Sequence, residues 1–171
     1  ALPIREHFQI AKKFGFQWLE FGIGGDQVGR LSEAPDQDEI DEFKEMGTDF
    51  GINTPFCCIE NDFTLADADE HAAMVDKVKS QIQAAAACGA THVRLFAGFT
   101  PAGNVTGEIW GRMIDAFAQC DALCEELGLL IGIETHGGIE FNDDGSATHI
   151  NSVTTDATCL QRLLTDLPPR V

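Results

Sequence analysis

The chain has 171 residues, 44% of them hydrophobic, which is enough for one buried core and too little for two ordinary domains. A formal net charge of −17 opposes binding to a polyanion, because nucleic-acid affinity rests on neutralised phosphates. The sequence has no uncharged apolar run of bilayer length, and Ala1-Leu2-Pro3 carries neither the basic nor the apolar region of a secretory leader, so a soluble, cytoplasmic protein without membrane partners is expected.

Ile4, Phe8, Ala11 and Phe14 recur at helical spacing between Pro3 and Gly15, which predicts a first amphipathic helix. A strand is expected over 16–23, running into Gly22-Ile23-Gly24-Gly25. Those glycines match a dinucleotide-binding fingerprint poorly, since Gln27 stands where its third glycine belongs. Glu20, near the end of this strand, is a candidate ligand-binding carboxylate whose alternative is a salt-bridged edge residue. After a loop over 31–37, Asp38 is the expected N-cap of a helix carrying Ile40, Phe43 and Met46, with Gly47 as terminator. A second strand is expected over 50–56, broken by Pro55. The polar segment 57–67 then reads as a long loop in which Glu60 and Asn61 are candidate substrate contacts.

Asp67 or Asp69 caps the next helix, which runs through Val75, Val78, Ile82 and an alanine run to Gly89. In the strand over 91–97, His92, Arg94 and Phe96 share one face and Val93, Leu95 and Ala97 the other. A charge in mid-strand needs a partner, and Glu20 and Glu134 are the natural ones for Arg94. Thr106 caps a helix carrying Ile109, Trp110, Met113, Phe117 and Cys120. Next comes the stretch 129–138, Leu-Leu-Ile-Gly-Ile-Glu-Thr-His-Gly-Gly, an apolar strand that ends in ionisable residues. Alternation aims Glu134 and His136 the same way, and a parallel strand covered on both sides has no use for charge unless a metal ion or proton transfer requires it. The bland alternative pairs Glu134 with Arg94 and leaves His136 bonded to its own loop. Residues 139–156 read as a polar loop with a turn at Asp143-Asp144-Gly145, followed by a last helix from Asp156 to Leu167. Six cysteines without CxxC spacing, several of them among apolar neighbours, read as buried free thiols.

Helix terminators about 30 to 40 residues apart, each followed by a strand, mark repeated crossover units, and strands separated by helices must be parallel. The expected fold is therefore α/β, either a doubly wound sheet or part of a (β/α)8 barrel, with function in the loops that follow the strands.

The segments Phe14-Gly15-Phe16-Gln17-Trp18-Leu19-Glu20, Ile59-Glu60-Asn61-Asp62-Phe63, Cys88-Gly89-Ala90-Thr91-His92-Val93-Arg94-Leu95-Phe96-Ala97-Gly98 and Ile133-Glu134-Thr135-His136-Gly137-Gly138 resemble, in order, strands of the xylose-isomerase-like TIM barrels. That superfamily includes sugar phosphate isomerases and epimerases and the family 2 apurinic endonucleases. The resemblance implies one partial barrel domain over 1–171, holding about strands two to five. It also implies that Glu134 is a divalent-metal ligand and one of two carboxylates that move a proton. On this reading the activity is metal-dependent sugar isomerisation or epimerisation by proton transfer next to a carbonyl, with Glu134 and His136 catalytic. Arg94, Glu20, Glu60 and Asn61 would bind substrate, and the cofactor would be Mn²⁺ or Mg²⁺ before Zn²⁺. The expected partner is a small carbohydrate, with a second copy of the chain as a further candidate and nucleic acid excluded. The competing readings are an incomplete barrel subunit that binds a sugar without turnover, and a metal-dependent endonuclease, which the charge disfavours.

Overall fold

A computed structural model describes residues 2–25 and 27–171. Its elements follow the order α1 (Ile4–Phe14), β1 (Trp18–Ile23), α2 (Gln37–Phe50), β2 (Asn53–Ile59), α3 (Ala68–Ala87), β3 (His92–Phe96), α4 (Gly107–Leu127), β4 (Leu130–Glu134), β5 (Gly138–Phe141), β6 (Ala147–Ile150) and α5 (Ala157–Asp166). The first four strands form one sheet in the order β1-β2-β3-β4, every neighbour parallel, and β5 and β6 form a separate antiparallel hairpin. Strand, helix and next strand adjacent in space is the repeat of a (β/α) barrel.

The two faces of the sheet differ sharply. Phe21, Ile23, Cys57, Ile59, Val93, Leu95 and Ile131 are buried, and they share the core with Phe8, Phe43, Val78, Ile82, Met113 and Phe117 from the helices. Alternate positions on the other face, among them Glu20, Phe56, Arg94, Leu130 and Glu134, are exposed or half-buried. Strand alternation thus sends one set of residues into the helix layer and turns the other set to the opposite face, where Cys58 and Phe96 are buried but the charged residues stay accessible.

Local chemistry accounts for most boundaries. Gly15 and Gly128 adopt left-handed φ values of 77° and 72° and close α1 and α4. The side chains of Asp67 and Thr106 accept hydrogen bonds from the first backbone N–H groups of α3 and α4.

Four expectations are corrected. The N-cap of α2 is Asp36, whose carboxylate accepts from the Glu39 N–H, and not Asp38. The helix also continues through Gly47 to Phe50 and closes at Gly51, where φ is 65°. An added Cβ at Gly47 would sit 3.2 Å from the Ile52 carbonyl oxygen, so the glycine serves close packing there and not termination. The second strand runs from Asn53 to Ile59 with Pro55 inside it. The β1–β2 register shifts between Trp18 and Glu20, and the β2–β3 ladder begins only at Phe56, so the missing N–H of Pro55 falls in an irregular part of the ladder. Its carbonyl still accepts from Thr91 N at 2.9 Å. Finally, residues 139–156 are no featureless loop, because the expected turn at 143–145 joins β5 to β6.

The cysteines are free, and all but Cys159 are buried. Burial raises the thiol pKa of Cys57 far above its ordinary value, of Cys120 to about 12, and of Cys88 and Cys124 to about 11, which keeps them protonated and unreactive.

Candidate active site

Arg94 is the centre of the polar row. It projects from the middle of β3 onto the accessible face, level with Cys58 on β2 and with Gly132 on β4. Both neighbours are small, so the guanidinium can lie across the sheet and reach carboxylates on either side. Arg94 Nε donates to Glu20 Oε1 at 2.7 Å, and its Nη1 forms an ion pair with Glu134 Oε2. Glu134 stands opposite Phe96 at the C-terminal end of β4, and its other oxygen, Oε1, lies 3.6 Å from His136 Nδ1. Three strands therefore bring Glu20, Arg94, Glu134 and His136 into one row. Burial works against the charge on Arg94, but the hydrogen bond it donates to Glu20, with Cys58 and Glu60 nearby, holds its pKa above the ordinary value. Burial likewise raises the pKa of Cys58, although Arg94 and Arg30 pull the other way.

The imidazole of His136 is set by aromatic rings. Phe96 and Phe99 each meet it edge-to-face, with centroids 5.4 and 5.6 Å away. Below the row, a hollow of about 190 Å³ is lined by Glu20, Phe56, His92, Arg94 and Gly132. A larger hollow of about 710 Å³, edged by Trp18, Asn53, Pro55 and Thr91, opens at the N-terminal ends of the strands, away from the charged row.

Glu60 and Asn61 are not brought into the row. Glu60 accepts from Arg30 Nη1 at 3.1 Å. The same arginine donates to the backbone oxygens of Gly24, Ile23 and Cys58. Its guanidinium lies against Gly22, where an added Cβ would collide with it, so the missing side chain at Gly22 makes room for Arg30. Asn61, expected at the substrate, is only 3% exposed. Its amide donates to the Phe96 carbonyl at 2.7 Å and accepts from the Phe96 N–H at 2.8 Å. It ties the end of β2 to the end of β3.

Two residues that sequence reasoning passed over are Ser152 and Thr154, both buried and both bonded to the backbone of His136. The only signal was their position just ahead of the Asp156 cap, which identifies a helix start and nothing more.

Among the described residues, no three His, Cys, Asp or Glu side chains come together as metal ligands. Glu134 and His136 offer two donors, one carboxylate oxygen of Glu134 faces Arg94, and Mg²⁺ or Mn²⁺ prefers a shell of about six. These residues do not by themselves hold such an ion.

A layer of parallel strands with helices between them, and a row of ionisable groups along one face that ends at Glu134 on the C-terminal end of β4, fits the (β/α) barrel class of enzyme scaffolds. Within that class, the xylose isomerase-like TIM barrel family matches residues 8–156, and the chain belongs to it. The fold is similar to that of a xylose isomerase domain protein from Planctomyces limnophilus (TM-score 0.66, 12% identity, 96% of this chain and 55% of that one). It is also similar to D-psicose 3-epimerase from Clostridium cellulolyticum H10, solved with D-tagatose (TM-score 0.64, 12% identity, 98% and 57%). Protein SMc04130 from Sinorhizobium meliloti 1021 is a third neighbour (TM-score 0.65, 17% identity, 99% and 56%). The chain thus spans little more than half the length of each. Comparison with curated proteins gives no match. No helix among the described residues is long and apolar enough to cross a membrane.

Proposed function

We propose that the chain, as one partial barrel domain, carries part of the active site of a sugar isomerase or epimerase that moves a proton at a carbon next to a carbonyl. The observation that supports this best is the placement of Glu134, a carboxylate at the C-terminal end of a parallel strand with one oxygen on Arg94 and the other toward His136. Held by the guanidinium, the carboxylate keeps a fixed direction, and its second oxygen is free to take a proton from an adjacent C–H. His136 then donates to the oxygen on which charge develops as the enediolate forms. Arg94 and Glu20 bind and orient, and the half-exposed Phe99 offers an apolar surface to the C–H side of a sugar ring. The family and its epimerase neighbour support a ketose as substrate class. Dependence on Mn²⁺ or Mg²⁺ belongs to the same proposal, with Glu134 as the carboxylate this chain would contribute.

Incubating the protein with D-fructose, D-tagatose or D-psicose in D₂O with Mn²⁺, and following loss of the proton next to the carbonyl by NMR, tests the reading. Exchange that falls about 10²- to 10⁴-fold in Glu134→Gln is the expected result. Ligand-induced shifts without exchange would assign the chain to sugar binding alone, and exchange indifferent to Glu134→Gln would refute the role of this carboxylate.

A further inference from the structure

His136 lies two residues beyond the end of β4, so no ladder holds its backbone. The next 14 residues include the β5–β6 hairpin, whose residues are exposed apart from the half-buried Ile150 at its end, and a lone two-stranded hairpin is a weak support. The hold comes from further along the chain. Thr154 Oγ1 accepts from the His136 N–H at 3.0 Å, and Ser152 Oγ donates to the His136 carbonyl. The two hydroxyls are 3.1 Å apart, and Thr154 N donates back to Ser152 Oγ. Ser152 and Thr154 are 2% and 3% exposed, with the fully buried Val153 between them. Both backbone groups of a loop residue are therefore fixed by buried side chains from a segment 16 to 18 residues away.

We infer that Ser152 and Thr154 are positioning residues that fasten the backbone of His136, so that its imidazole stays between Phe96, Phe99 and Glu134 whatever the hairpin does. The inference deepens the proposed proton-transfer reading, but its geometric part stands apart from the chemistry. Without the clamp the imidazole swings with the hairpin base. A buried hydroxyl pair that served only to cap α5 would not touch residue 136, and the cap of that helix is already supplied by Asp156, which accepts from Thr158 N and Cys159 N.

The test uses the full chain and the carbon-bound protons of the His136 ring, assigned by their loss in His136→Gln. Next to two aromatic rings these signals are displaced from free-imidazole positions by ring currents. In Thr154→Val they should move toward the free positions, whereas Thr154→Ser, which keeps the hydroxyl, should retain the wild-type displacement. Ser152→Ala provides the second arm should Thr154→Val fail to fold. If turnover is present, Thr154→Val should lower kcat by about ten- to a hundredfold with KM little changed, as expected of a misplaced proton donor. Wild-type ring shifts in both Thr154→Val and Ser152→Ala would overturn the clamp whatever the activity. Lost shifts combined with full activity in His136→Gln would leave the clamp standing and remove the catalytic role of His136 instead.

Discussion

Arg94→Met removes the cation between two carboxylates and keeps most of the aliphatic bulk. A hydrogen bond to a charged group is worth about 1.5–3 kcal/mol when shielded. Here the Arg94 side chain is 33% exposed, Glu134 28% and Glu20 45%, so solvent screening takes a larger share from the Glu20 contact. The structure therefore predicts a coupling of about 1 to 1.5 kcal/mol between Arg94 and Glu134, and about 0.5 kcal/mol between Arg94 and Glu20. The variant as a whole should lose about 2 kcal/mol, a fall of about 4–8 °C in Tm for a chain of this size. Double-mutant cycles pairing Arg94→Met with Glu134→Gln and with Glu20→Gln, read by urea unfolding at constant m, measure both couplings. A coupling to Glu134 within about 0.3 kcal/mol of zero, or smaller than that to Glu20, would refute the account of the row.

Asn61→Ala should cost about 2–4 kcal/mol, because it strands the N–H and C=O of Phe96 in a buried place, and calorimetry would show it. The pKa of His71 is lowered by burial and then by Arg112, against a smaller opposing pull from Asp62. The unfolded chain takes up that proton from about pH 6.5 downward while the folded chain resists, so stability falls as the pH drops below that point. His71→Gln should flatten the slope between about pH 6.5 and 5 in urea titrations at stepped pH, and an unchanged slope would place its origin elsewhere. Mn²⁺ titrated into this chain should bind more weakly than about 10⁻⁴ M by calorimetry, since two donors make a poor shell, and tight stoichiometric binding would contradict the ligand count.

The polar row was legible in the sequence because strand alternation is strict: once residues 91–97 read as a strand, Arg94 had to share a face with whatever carboxylates adjoining strands presented. Glu20 and Glu134 were the available ones, and the structure pairs Arg94 with both. The helix terminus at Gly51 was not legible, since Gly47 is an equally good local stop, and the reason for a glycine there, the closeness of the Ile52 carbonyl, shows only in the folded chain. Asn61 was misplaced for a related reason. A polar residue after a strand looks like a ligand contact until its partner, the backbone of Phe96 some 35 positions on, is known. Ser152 and Thr154 were invisible because their bonds go to main-chain atoms of His136, which leave no trace in residue identity.

The division of the sheet between a core face and an open face makes chemistry and stability separately adjustable. Substitutions at positions 20, 94, 132 and 134 leave the core face untouched and cost only the ion pairs of Arg94, while 21, 93, 95 and 131 form the chassis and should be left alone. A single-residue insertion inside β3 would do the reverse, turning the arginine into the oil and the valine out to water. New specificities in this scaffold are therefore reached by substitution within the strands, and by changes of length only outside them.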